Sequence, residues 1–147
     1  MSKYRVIQLT NKTIGAVAVN GFMPFGNVTR KVQDNDCGCC TFNVTTSNAD
    51  TVNLNEIGNY DVMYSASLTA GAAGEVVASL IVNGVNVYEV SVTAASGDVV
   101  NVTLPYQVRV CPNCAGAPYN CPVSIQVQLT GVAITAGTSN MLIERVY

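Results

Sequence analysis

Residues 76–92, VVASLIVNGVNVYEVSV, decide the fold of this chain. Two runs rich in β-branched residues, Val77 to Val82 and Val85 to Val92, flank the pair Asn83-Gly84. Asn-Gly is the pair best suited to the positive φ angles of a two-residue type I′ turn, which joins antiparallel strands. The stretch therefore predicts a β-hairpin.

Alternation of apolar and polar side chains predicts further strands outward from this hairpin. It is clearest in Val123 to Thr130, and it recurs in Val100 to Leu104 and in Tyr60 to Leu68, where Met63 is the exception on the polar side. Six shorter runs have strand composition between turn signals: Tyr4 to Leu9, Ile14 to Val19, Val28 to Val32, Thr41 to Thr45, Thr51 to Leu54 and Met141 to Tyr147. About ten or eleven short strands in one domain predict an all-β, two-sheet antiparallel sandwich or jelly roll.

The composition indicates that part of the surface is buried against other chains. Of 147 residues, 49% are hydrophobic and only 11% are charged, which is little charge to cover a folded monomer. No apolar run reaches the roughly 18 residues of a membrane-spanning helix, and the basic residues are too scattered for a nucleic-acid surface. The segment beginning at Met1 carries no signal peptide, so we expect cytosolic synthesis and neither membrane nor nucleic acid as a partner.

Two segments are apolar on both faces, Val76 to Val82 and Met141-Leu142-Ile143. An antiparallel strand needs only one buried face for its own core. Either these strands lie centrally under a loop or sheet corner, or their second face is buried by another subunit.

Catalytic chemistry is not expected. The chain has no histidine, which removes Ser-His and Cys-His nucleophiles and most metal sites that use histidine. The carboxylates that lie closest in sequence, Asp34 and Asp36, stand in an Asp-Asn-Asp context typical of a solvated turn. We therefore predict a non-enzymatic protein without a cofactor.

The six cysteines form two groups at positions where strand signals stop. They are Cys37, Cys39 and Cys40 in the first group, and Cys111, Cys114 and Cys121 in the second. We favour disulfides, formed after release into oxidising surroundings, with pairing undetermined. The alternative is a structural zinc site, because Cys111-x-x-Cys114 has the spacing of a zinc knuckle.

Three segments resemble the trimeric tumour-necrosis-factor and C1q-like jelly rolls: Gly58 to Leu68, Ala78 to Gly84, and the terminal Ser139 to Tyr147. Near the beginning, Leu9 to Thr13, Ala18 to Gly21 and Pro24 to Val28 resemble capsid-decorating or head-fibre proteins of gut bacterial phages. Spore-surface proteins with a similar domain are the nearest cellular counterpart.

The resemblance implies a homotrimeric virion surface protein whose partner is the major capsid protein. It implies a terminal strand near the trimer axis, with Met141, Ile143 and Tyr147 as interface candidates. Residues 1–33 become the candidate capsid attachment or inter-subunit clasp, and residues 34–147 the jelly roll, together in one compact unit.

Two other functions remain open. One is a glycan- or receptor-binding module that contacts a host-surface glycan, for which Tyr119 in the loop between Cys114 and Cys121 is the candidate residue. The other is a self-polymerising surface fibre or spore-coat component.

Overall fold

The structure, a computed structural model, describes residues 5–32, 44–47, 49–54, 58–110 and 123–146. Within these ranges the chain is all-β, with no helix long and apolar enough to cross a membrane. The described strands are β1 (Arg5–Ile14), β2 (Asn27–Val32), β3 (Val44–Ser47), β4 (Thr51–Leu54), β5 (Gly58–Ala70), β6 (Gly74–Val82), β7 (Val85–Ala94), β8 (Val99–Val110), β9 (Val123–Gly131) and β10 (Ile134–Arg145).

The strands form two five-stranded antiparallel sheets that pack face to face. Sheet A has the order β2-β1-β10-β5-β8, and sheet B has the order β3-β4-β9-β6-β7. Consecutive strands often lie in different sheets, as in a jelly roll, and β1 pairs with β10 at the other end of the described chain. The predicted two-sheet antiparallel sandwich is confirmed.

The hairpin predicted around Asn83-Gly84 is confirmed. Asn83 and Gly84 have φ angles of 49° and 81°, as a type I′ turn requires. The Asn83 N–H donates to the Ser124 carbonyl (3.0 Å), and the Ser124 N–H donates to Asn83 Oδ1 (2.8 Å). The turn is thereby fixed against the start of β9.

Of the segment predicted as a strand from Ile14 to Val19, only Ile14 lies in a strand, as the last residue of β1, so that prediction was wrong. Residues 15–26, which we call the strap, cross from sheet A to sheet B and back. Val17 forms a single bridge with Ile134 of sheet A, and Met23 donates its N–H to the Val127 carbonyl of sheet B at 2.8 Å. The strap thus closes one side of the sandwich.

Several strands extend beyond their predicted limits. β8 continues through Pro105 to Val110, which an edge strand allows because its outer side needs no N–H donor. β10 begins at Ile134, seven residues before the predicted start, and β1 extends to Ile14. Of the predicted strand Thr41 to Thr45, residues 41–43 lie outside the described residues.

The core lies between the sheets and includes two strap residues, Met23 and Phe25. The Phe25 ring meets the Tyr64 ring edge to face, with centroids 5.9 Å apart and planes at 69°. Burial raises the pKa of Tyr64 far above its ordinary value, an effect that the nearby Ser139 hydroxyl only partly offsets. The phenol is therefore neutral, and among the described residues its hydroxyl has no hydrogen-bond partner.

The second apolar face of β6 is covered within the chain. Ile81 points outward from sheet B, yet its side chain is only 7% exposed. The strand register places Gln126 on one side of it and Asn86 on the other. This burial favours the central-strand explanation for residues 76–82 and does not require another subunit.

Candidate assembly surface

The side chains of sheet A that point away from sheet B form a continuous surface, which we call the assembly face. Strand register aligns its residues in rows across the sheet. One row contains Arg30, Gln8, Leu142, Met63 and Pro105; the next contains Asn27, Thr10, Asn140, Ser65 and Thr103; a third contains Thr138, Ser67 and Asn101; and Glu144, Asp61 and Gln107 form a row on the other side of the first.

Polar groups on this face are hydrogen-bonded to one another between strands. Gln8 Nε2 and Thr10 Oγ1 both donate to Asn140 Oδ1, at 2.8 and 3.1 Å. Ser67 Oγ donates to Asn101 Oδ1 at 2.6 Å. Removing water from such groups costs less than removing it from unpaired ones, because each keeps a partner. The face is therefore suited to burial despite its polarity.

An apolar depression of about 510 Å³ lies in this face. Met63, Leu142 and Pro105 are among the residues that line it, and Asp61 and Glu144 add two carboxylates. Met63 is 42% exposed, which is unusual for a methionine in a folded domain. Covering this depression with a partner would be favourable, because apolar surface would be removed from water.

Two of the three residues predicted to form the interface point into the core of their own chain. Met141 and Ile143 face into the sandwich and are 1% and 0% exposed, so their own chain's core covers them. The β10 residues that face outward include Thr138, Asn140, Leu142 and Glu144. Met141 and Ile143 are therefore core residues, whereas their neighbour Leu142 faces outward; Tyr147, the third candidate, lies outside the described residues.

The sequence contained a signal for this depression. Met63 interrupts the polar side of an otherwise regular alternation in β5, and Leu142 makes β10 apolar on both faces. Only the strand order shows that the two side chains are neighbours, because β5 and β10 are far apart in sequence. Register pairs Leu142 directly with Met63.

All six cysteines and Tyr119 lie outside the described residues. The strands that flank the two cysteine groups end at one end of the sandwich. In sheet B, Val44 pairs with Leu54, and Leu54 pairs with Val123. Val44 begins β3 after the first cysteine group, and Val123 begins β9 after the second, so these two strand starts are two strands apart, roughly 10 Å. Within the described ranges, no three His, Cys, Asp or Glu side chains are grouped to hold a metal ion.

The strap adds apolar side chains to the surface of the N-terminal segment. Val19 and Phe22 are exposed on the strap, and Val28 is exposed on β2 directly after it. The same segment buries Val17, Met23 and Phe25 in the core. Residues 5–32 are therefore built into the sandwich, and any contact they make with a partner uses the outer side of the strap and β2.

No family model matches the sequence, and no curated protein matches it. The structure is similar to solved domains of the tumour-necrosis-factor and C1q type. The globular domain of zebrafish complement 1qA protein has a TM-score of 0.64 at 8% identity, covering 97% of this chain and 98% of that one. Eiger TNF from S. frugiperda has a TM-score of 0.68 at 6% identity, covering 100% and 94%.

A phage protein has the same fold. The PRD1 vertex protein P5 has a TM-score of 0.57 at 14% identity, covering 99% of this chain and 98% of that one. Identities this low show the fold alone. The chain thus has a jelly-roll fold similar to that of these tumour-necrosis-factor and C1q domains.

Proposed function

We propose that this chain is a non-enzymatic virion structural protein, which self-assembles into a homotrimer and decorates or projects from a phage capsid. The observation that carries the proposal is the assembly face, with its paired polar groups around an apolar depression. The fold is compatible with a structural trimer, and one protein of the same fold is a phage vertex protein.

Self-association is supported by the energetics of this face. Covering the apolar side chains of the depression stabilises the assembly by about 25 cal/mol for each Å² of apolar surface removed from water. The neighbouring Gln, Asn, Ser and Thr side chains keep the hydrogen bonds that they form with one another when they are buried, which lowers the cost of removing their water. The low charge content of 11% agrees with a surface that is partly covered in the assembly.

Attachment to the major capsid protein is assigned in this proposal to the N-terminal segment, residues 1–33. Its support is the exposed apolar pair Val19 and Phe22 on the strap. Exposed aromatic and β-branched side chains on a segment tied to both sheets form a rigid contact surface. A capsid or portal gene beside the gene for this chain is the expected genomic context, and purified particles should contain the protein on their surface.

Introducing a charge at Met63 tests self-assembly. Met63→Lys places an ammonium in the depression, where burial would remove its water and the Asp61 and Glu144 carboxylates would offset only part of that cost, so association should weaken about tenfold or more. Sedimentation or native mass spectrometry should show three times the 15.4 kDa chain mass for the unmodified protein and one chain mass for the variant.

The matched control for this test is Gln126→Lys, which adds the same charge to the outward face of sheet B. It should leave the assembled mass unchanged. A monomer before any substitution, or a trimer that withstands Met63→Lys, would contradict assembly through this face.

Disulfides among the six cysteines are the second part of the proposal. Their support is that the strands flanking both cysteine groups end at the same end of the sandwich. Intact mass after alkylation, with and without reduction, should show a difference in the number of alkylated thiols. Six alkylated thiols without reduction would exclude disulfides, and bound zinc in the same sample would support the metal site.

A further inference from the structure

Met63 differs from the other methionines that the structure describes. Met23 and Met141 lie in the core and are 0% and 1% exposed, whereas Met63 is 42% exposed on the assembly face. An oxidant reaches the sulfur of a buried methionine only when the fold opens, but an exposed thioether reacts directly. Among these three side chains, Met63 is therefore the one open to chemical modification in the folded chain.

Met63 has an apolar neighbour on each side. Register pairs it with Leu142 of β10 and with Pro105 of β8, so the three side chains form one row across sheet A. All three line the depression of about 510 Å³ in the assembly face. Burial of this apolar row favours covering the depression. A change that makes the central side chain polar therefore acts in the middle of the proposed contact surface.

An oxygen atom added to Met63 would find few hydrogen-bond donors in the depression. The two apolar neighbours offer none, and the Asp61 and Glu144 carboxylates, which also line the depression, are acceptors. Gln107 carries donors, but its Nε2 already donates to Asp61 Oδ1 at 3.1 Å. The added oxygen would depend mainly on water for its hydrogen bonds, so covering it with a partner would cost free energy.

We propose that Met63 is a site of reversible oxidation by peroxides, and that its sulfoxide opposes assembly. The sulfur lone pair attacks one peroxide oxygen, and an S–O bond forms as the O–O bond breaks. The departing hydroxide takes the proton of the transferred OH group and leaves as water, so sulfur loses two electrons and the peroxide gains them. A polar S=O group then replaces the apolar thioether. The effect rests on the proposed self-assembly, because the sulfoxide acts only where a partner covers the depression.

Assembly in turn protects the thioether. A copy whose depression is covered keeps Met63 away from solvent, so the same oxidant modifies free chains and spares assembled ones. Oxidation thus removes unassembled copies from the pool that is able to associate. Methionine sulfoxide reductases return them to that pool, because they convert the sulfoxide back to the thioether.

Peroxide treatment below and above the concentration at which the chain associates tests the modification and its effect. In dilute protein, peptide mass mapping should find Met63 oxidised at least about tenfold faster than Met23 or Met141. In concentrated protein this difference should largely disappear. After the peroxide is removed, sedimentation should show association weakened about tenfold or more, and the reductases for both sulfoxide epimers should restore it.

Met63→Leu is the matched control, because it keeps an apolar side chain of similar volume and all six cysteines but has no sulfur at this position. It should associate like the unmodified protein, both before and after peroxide treatment. Met63→Gln places a polar side chain of similar length in the depression, so it should weaken association without any oxidant.

Equal oxidation rates at Met63 and the two core methionines would overturn the proposal. A sulfoxide that leaves association unchanged would also overturn it, as would a loss of association in peroxide-treated Met63→Leu. A chain that is monomeric before peroxide is added contradicts self-assembly itself, and with it the effect of the sulfoxide. If Met63→Lys disrupts the trimer but the sulfoxide does not, assembly through this face stands and only the oxidation effect is wrong.

Discussion

Replacing Gly131 with alanine is expected to destabilise the fold by roughly 3–5 kcal/mol, from strained backbone and overpacking together. Gly131 ends β9 with a φ of 82°, a conformation that disfavours side chains. A Cβ at this position would also overlap the Glu75 carbonyl oxygen, which accepts the Val132 N–H at 3.0 Å. Chemical denaturation followed by circular dichroism measures the loss.

Gly97→Ala is the matched control. Gly97 has a φ of 87°, but a Cβ there would meet no atom within 4 Å. The control should lose only the backbone contribution, about 1–2 kcal/mol. Equal losses at the two positions would show that the approach of β9 to Glu75 is not a steric constraint.

Phe25→Ala is expected to cost about 3–5 kcal/mol, the usual range for removing a buried aromatic ring. Its ring fills the core beside Tyr64 and anchors the end of the strap, whose Phe25 N–H also donates to the Ala49 carbonyl at 2.8 Å. The substitution leaves the backbone bond possible but creates a cavity. Thermal or urea unfolding of the purified variant measures the change.

Phe22→Ala, three residues earlier in the same strap, separates core packing from surface contact. Phe22 is 36% exposed, so its loss should lower the free energy of unfolding by about 1–2 kcal/mol, clearly less than the loss of Phe25. If Phe22→Ala destabilised the fold as much as Phe25→Ala, the division of the strap into a buried and an exposed side would be wrong.

Local chemistry made the hairpin and most strands predictable. The turn at Asn83-Gly84 follows from two adjacent residues, and alternation in Val123 to Thr130 specifies one buried face. The strap was not predictable in this way, because Val17 pairs with Ile134, far away in sequence. Its Ile14 to Val19 run is apolar enough for a strand, but tertiary contacts determine its path.

The terminal strand illustrates a second limit. Its first half, near Gly137, lacks alternation, and its path depends on close approach to β5, where a Cβ on Gly137 would lie 2.7 Å from the Ser67 carbonyl oxygen. In its second half, Met141, Leu142 and Ile143 are all apolar. With a period of two, such a run does not show which face is inward. The strand was therefore predicted, but its outward-facing residues were assigned to the wrong face.

The position of β10 also determines when the chain can complete its fold and assemble. It lies between β1 and β5, although it follows every other described strand in the chain. During synthesis, β1 cannot pair with its inner neighbour in sheet A until β10 has been made. The hydrogen bond from Gln8 to Asn140, for example, joins residues 132 positions apart. Nascent chains on neighbouring ribosomes therefore do not present a finished assembly face, so subunits should associate only after the translation of β10.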